Sequence, residues 1–108
     1  MGKFTVTTRS NGEFQFNLQA GNGQNILGSE GYSSKAACMN GIESVKTNSQ
    51  DDDKFEKLTA SNGKFYFTLK AGNGQVIGTS QMYADEAGRD NGIASVKENA
   101  KDAEVAEG

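Results

Sequence analysis

Few side chains in this 108-residue chain could do chemistry, and their spacing narrows the choice further. The chain has no His, which excludes every mechanism that needs an imidazole: the Ser-His-Asp triad, the Cys-His pair, and His-ligated zinc or haem. Cys38 is the single thiol. No internal disulfide or multi-Cys metal site can form, and a free thiol suits a reducing compartment. Its place on an apolar helical face predicts a small buried packing residue, not a low-pKa nucleophile or redox sensor. Asp51-Asp52-Asp53 puts three carboxylates in a row. A calcium loop needs alternating ligands and a terminal Glu, so this run is expected to be a solvated linker. Gly21-Asn22-Gly23 and Gly72-Asn73-Gly74 suggest a phosphate loop. The third glycine (Gly28, Gly78) comes too late for the dinucleotide fingerprint, and a strand follows where a helix is required. Both are expected to be hairpin turns. No residue set calls for a metal or cofactor.

The net charge of −3 and a pI near 4.9 argue against a binder of nucleic-acid backbones, which needs a basic stripe. No apolar run approaches the ~18 residues of a membrane span. The first residues, Met1-Gly2-Lys3-Phe4-Thr5-Val6, contain no signal-peptide core, and Val6 stands where a myristoylation signal needs Ser or Thr. The expectation is a cytoplasmic protein. Leu, Ile, Val and Phe make up less than a fifth of the chain, under the ~20% mark associated with disorder. The charge is too small for that reading and the aromatics are regularly spaced, so a thin, aromatic-rich core is expected.

An internal repeat sets that spacing. Residues 3–49 align with 54–100 without a gap, and more than half of the positions are identical. NGEFQFNLQAGNGQ recurs as NGKFYFTLKAGNGQ, and NGIESVKTN as NGIASVKEN. Two copies are too few for a solenoid and fit one domain with an internal two-fold: repeat one over 3–50, repeat two over 54–100, and a short last strand and tail over 101–108.

Within each copy, Phe14-Gln15-Phe16-Asn17-Leu18 and Phe65-Tyr66-Phe67-Thr68-Leu69 alternate with the period of a half-buried strand. Phe4–Thr8 reads the same way. Its counterpart Phe55–Thr59 puts Lys57 where Val6 stands, which predicts an edge strand or bulge. Third strands are expected at Asn25–Ser29 and Val76–Ser80. The four Asn-Gly pairs between strands predict type I′ hairpins. Helices follow over Ser34–Thr47 and Asp85–Glu98, with Ser34 and Asp85 as N-caps. Cys38, Gly41, Ile42 and Val45 share one helical face, as do Arg89, Gly92, Ile93 and Val96. A glycine costs about 1 kcal/mol inside a helix, so Gly41 and Gly92 together suggest a close approach. Tyr32 and Tyr83 are expected to pack over the first helical turns. Arg89 can form an i, i+4 surface pair with Asp85.

The doubled pattern NG-x-F-x-F-x-L-x-A-G-N-G-Q, then Tyr, then NGI-x-SVK, resembles the YegP-like family over about residues 3–100. The resemblance implies an α+β fold: two tandem β3-α-β repeats forming one pseudo-two-fold antiparallel sheet, with two helices packed on one face. It also implies strand exchange between the halves, with Phe55–Thr59 and the residues near Ala103–Ala106 as the exchanged strands. It carries no active site, and no catalytic residue is assigned.

If the Phe and Leu positions face the helices, the other sheet face carries Gln15, Asn17, Gln19, Tyr66, Thr68 and Lys70. This is ordinary polar-out alternation, or a hydrogen-bonding platform with Tyr66 as its anchor and Lys70 as its charge. A single-stranded nucleic-acid binder would stack several aromatics there, whereas Tyr66 has only Gln15 as its counterpart. The reading is a non-enzymatic interaction module that presents an edge or face to a macromolecule, possible partners including protein, and is itself monomeric. The alternative is a small-molecule binder or carboxylate-based enzyme at the seam between repeats, where Glu43 or Glu86 would act.

Overall fold

The computed structural model describes residues 2–107. Repeat one supplies β1 (Lys3–Thr8), β2 (Phe14–Gln19), β3 (Asn25–Gly28) and α1 (Lys35–Asn48). A single 3-10 turn over Asp52–Lys54 leads into β4 (Phe55–Thr59), β5 (Phe65–Lys70), β6 (Val76–Thr79), α2 (Glu86–Ala100) and β7 (Glu104–Glu107). The strands form one seven-stranded sheet in the order β4-β5-β6-β3-β2-β1-β7. Two meanders thus meet through β3 and β6, where Gly28 is registered with Thr79. The sheet is mixed, which corrects the expectation of an all-antiparallel one: β7 runs parallel to β1, pairing Phe4 with Val105 and Lys3 with Glu104. Parallel neighbours cannot be joined by a tight turn and need a long connection, and β7 reaches β1 only after the whole of repeat two.

The Asn-Gly turns also differ from the type I′ form. Among the described residues only glycines have positive φ, at Gly12 (87°), Gly23 (85°), Gly63 (84°) and Gly74 (84°). Type I′ would need two such residues in succession. Instead the Asn11 side-chain oxygen accepts from the Glu13 amide at 3.0 Å, while the Gly12 amide closes onto the Arg9 carbonyl at 2.9 Å. Asn22, Asn62 and Asn73 make the same bond to the residue two places on. The asparagine therefore acts through its side chain, and the glycine alone supplies the left-handed backbone.

Ser34 and Asp85 cap the helices, accepting from the amides of Ala37 (3.1 Å) and Gly88 (2.7 Å). The expected helical faces are buried on one core, where Phe4, Phe16, Leu18, Phe67 and Leu69 meet Cys38, Ile42, Val45, Ile93 and Val96. Each helix reaches strands of both repeats: α1 packs on β2, β5 and β6, and α2 on β1, β2, β3 and β5. Gly41 and Gly92 admit tyrosine rings. A Cβ on Gly41 would lie 2.8 Å from Tyr32 Cζ and 3.0 Å from Phe16 Cε2. On Gly92 it would lie 2.7 Å from Tyr83 Cζ and 3.1 Å from Phe67 Cε2. The tyrosines thus extend past the first helical turn, stacking on Phe16 and Phe67 with ring planes 16° and 13° apart.

At the seam the repeats differ in size in a complementary way. Leu27 has Gly78 as its counterpart in sequence, and a Cβ on Gly78 would sit 2.7 Å from Leu27 Cδ2. Leu27 fills this space and is 2% exposed. Two leucines cannot share it.

Candidate functional site

The two outer strands of the meanders, β1 and β4, carry equivalent residues but have different surroundings. β1 is covered along its outer side by β7, whereas β4 pairs with β5 alone. The floors beneath the two edges are built from the same residue types, Phe4 with Ile42 and Phe55 with Ile93. Under β7, Phe4 and Ile42 are both 0% exposed, and Ala103 just before the strand is itself buried. Beside β4, Phe55 is only half-buried, and a groove of about 420 Å³ lies open between Asp52, Phe55, Lys57, Asp90 and Ile93.

Two substitutions between the repeats fit this difference. Val6 and Met39 of repeat one become Lys57 and Asp90 in repeat two, and these form an ion pair at 3.2 Å across the groove. The Lys57 hydrogen bond holds the Asp90 carboxyl below its usual range, with a further contribution from Arg89. Asp52 closes one end through an ion pair with Lys97, and the Gln50 side chain donates to the Lys97 carbonyl at 2.9 Å. The floor is apolar and the rim charged. This composition can seat an extended chain, with backbone groups on the β4 edge and alternate side chains over Phe55 and Ile93.

The residues expected on the polar face share that face but do not form one cluster. Gln15, Asn17 and Gln19 lie on β2, while Tyr66, Thr68 and Lys70 lie on β5, with β3 and β6 between them. Three strand spacings separate the groups by about 14 Å. Arg9 Nε donates to Gln15 Oε1. Lys70 pairs with Glu56 at 3.2 Å, and because Glu56 is registered with Thr68 this pair runs diagonally past the threonine. Thr68 is buried, and its Oγ1 has no hydrogen-bond partner. Glu43 and Glu86 lie on different helices, beside Lys46 (3.6 Å) and Arg89 (3.4 Å).

Other charged residues are placed differently from the sequence expectation. Asp85 caps α2 and is not the partner of Arg89. The Arg89 side chain is 8% exposed, bonded to Glu86 and Asp90, with its guanidinium 5.5 Å from the centre of the Phe65 ring. Asp51 caps the 3-10 turn by accepting from Asp53 N at 3.0 Å. Cys38 is fully buried, and burial pushes its thiol pKa up. Burial, then the charges of Glu30 and Cys38, likewise raises the Tyr32 phenol. The groove at β4 escaped the sequence reading, although the replacement of Val6 and Met39 by an opposite-charge pair was a visible signal of it.

These features define a small α+β protein of tandem repeats, in which the chain's own last strand covers β1 while β4 has no such cover. The chain belongs to the family described as Domain of unknown function (DUF1508), whose model matches residues 10–56 and again 60–107. Among its relatives, the UPF0339 protein in the ptx operon 5' region of Stutzerimonas stutzeri is 56% identical, over 98% of this chain and 96% of that one. The UPF0339 protein YegP of Escherichia coli strain K12 is 55% identical, over 91% and 89%. Solution NMR structures of a UPF0339 protein from Shewanella oneidensis and of YegP from E. coli each superpose with a TM-score of 0.93 at 52% identity. They cover 98% of this chain and 90% and 91% of their own. No helix among the described residues is long and apolar enough to cross a membrane.

Proposed function

We propose that this protein is a non-enzymatic interaction module, a monomeric single domain that takes a macromolecular partner on the outer edge of β4. In this reading the repeats are related by a pseudo-two-fold axis between β3 and β6. The strand after each helix is exchanged into the other half: β4 beside β5, and β7 beside β1. One observation carries the proposal. The same Phe–Ile floor is sealed by β7 in one half and lies open in the other, with Phe55 half-buried where Phe4 is fully covered. An unpaired edge is a template for a further strand, and main-chain bonding to such an edge is a recurrent mode of peptide recognition. The free Cys38 thiol suits a cytoplasmic setting.

The test exploits the burial of Cys38. A Lys57→Cys variant can be derivatised at the groove alone, leaving an adduct across the edge. The unlabelled bait is expected to retain a partner from native lysate that the labelled bait loses. A tightly bound small metabolite with no edge-dependent partner would refute the reading.

A further inference from the structure

Resting on that reading, we propose that the occupant of the β4 edge is an extended segment of a partner protein. It runs parallel to β4, with the pattern acidic–apolar–small–acidic. The chain carries its own template for this ligand. On β1, the β7 sequence Glu104-Val105-Ala106-Glu107 is registered with Lys3, Phe4, Thr5 and Val6 in turn. The equivalent positions in repeat two are Lys54, the last residue of the 3-10 turn, and Phe55, Glu56 and Lys57 of β4.

Laying the same pattern along β4 brings its first acid next to Lys54, at the end of the 3-10 turn that leads into the strand, in the place that Lys3 takes opposite Glu104. Its apolar residue lies beside Phe55, on the groove floor with Ile93. Its last acid comes to Lys57, where β1 offers only Val6. The β4 edge therefore suits this strand chemistry at one more position than the edge β7 already occupies. Lys57 is half-exposed, and its ammonium faces Asp90 at 3.2 Å, so an incoming carboxylate would complete an acid–Lys–acid row. The small residue, taken from Ala106 of the template, falls beside Glu56, whose side chain leans inward to Lys70 at 3.2 Å. A parallel direction follows from the β7 template.

The probe is a synthetic peptide with the sequence of residues 101–107, titrated into the intact isotope-labelled protein and followed by amide NMR. A control peptide carries Lys at both glutamate positions of the strand. The expected result is saturable shifts confined to Phe55–Thr59 and Ile93, with the control about tenfold weaker, as two reversed cross-strand charge pairs imply. A Lys54→Glu/Lys57→Glu variant should invert that preference, and its unchanged melting temperature would exclude misfolding as the cause. Equal binding of both peptides at β4 would overturn the acidic pattern while leaving the edge reading intact. Shifts at β1 would overturn the proposal by showing competition with β7, the outcome expected if the tail only exchanges between copies of this chain. Absence of any shift at β4 would overturn both the acidic strand and the edge reading.

Discussion

Adding one methyl group at Gly41 tests the packing of helix on sheet. In an exposed helix interior Gly→Ala stabilises by about 1 kcal/mol. Here the new Cβ would meet Tyr32 Cζ at 2.8 Å and Phe16 Cε2 at 3.0 Å, against a carbon–carbon optimum of about 3.5–4.0 Å. The Tyr32 ring cannot easily retreat, because it stacks on Phe16, which in turn meets Phe4 edge-on at 5.7 Å. Overpacking of this kind costs about 1–3 kcal/mol, which exceeds or cancels the helical gain. Gly41→Ala should therefore destabilise by about 1 kcal/mol, or roughly 4–8 °C in melting temperature. Gly92→Ala should behave alike, with Tyr83 Cζ at 2.7 Å. The control lies in the same helix pair. Gly88, whose counterpart is Ala37, has its closest would-be contacts at 3.1 and 3.4 Å, so Gly88→Ala should be neutral or stabilising. Chemical denaturation of the three variants, with Tyr32→Phe added to Gly41→Ala to relieve the nearest contact, completes the assay. A gain of about 1 kcal/mol at Gly41, as at an open helical site, would refute the packing argument.

Three further outcomes follow. The Asp90 carboxyl should titrate below the ordinary aspartate value of about 3.9 and return toward it in Lys57→Met, as read by carboxyl carbon shifts. Because its folded pKa is depressed, the pair's contribution to stability is complete above that ordinary value and is lost as pH falls through the lowered one. Gly78→Ala should destabilise by about 1–3 kcal/mol through Leu27, and denaturation of the Leu27→Ala/Gly78→Ala pair should reveal a coupling that additive effects would contradict. Cys38, 0% exposed with its thiol pKa raised, should react with a thiol reagent roughly a hundredfold more slowly in native buffer than in denaturant; equal rates would contradict its burial.

Local physics made much of the fold legible in the sequence. Period-two alternation located β2 and β5, the hydroxyl and carboxylate of Ser34 and Asp85 located the helix starts, and the Cys38–Gly41–Ile42–Val45 spacing gave the buried face of α1. Lys57 in an otherwise inward position marked β4 as an edge. What the sequence left open depended on which partners the side chains take in the folded chain. The turns are one residue longer than type I′ because the Asn11 side chain bonds to the backbone in place of adopting the left-handed conformation. The purpose of Gly41 required knowing that the Tyr32 ring, just ahead of α1, reaches past the first helical turn to stack on Phe16. The groove became recognisable only once β7 was found on β1, because its significance lies in comparing Phe4 with Phe55.

The most direct measurement is residue-resolved hydrogen exchange of β1 and β4 in the isolated, dilute protein. The outward amides of β1 should be protected by β7, while those of β4 should exchange as freely as amides in the turns. Equal protection of the two strands would mean that β4 is already covered, and the open edge on which the proposed function stands would not exist.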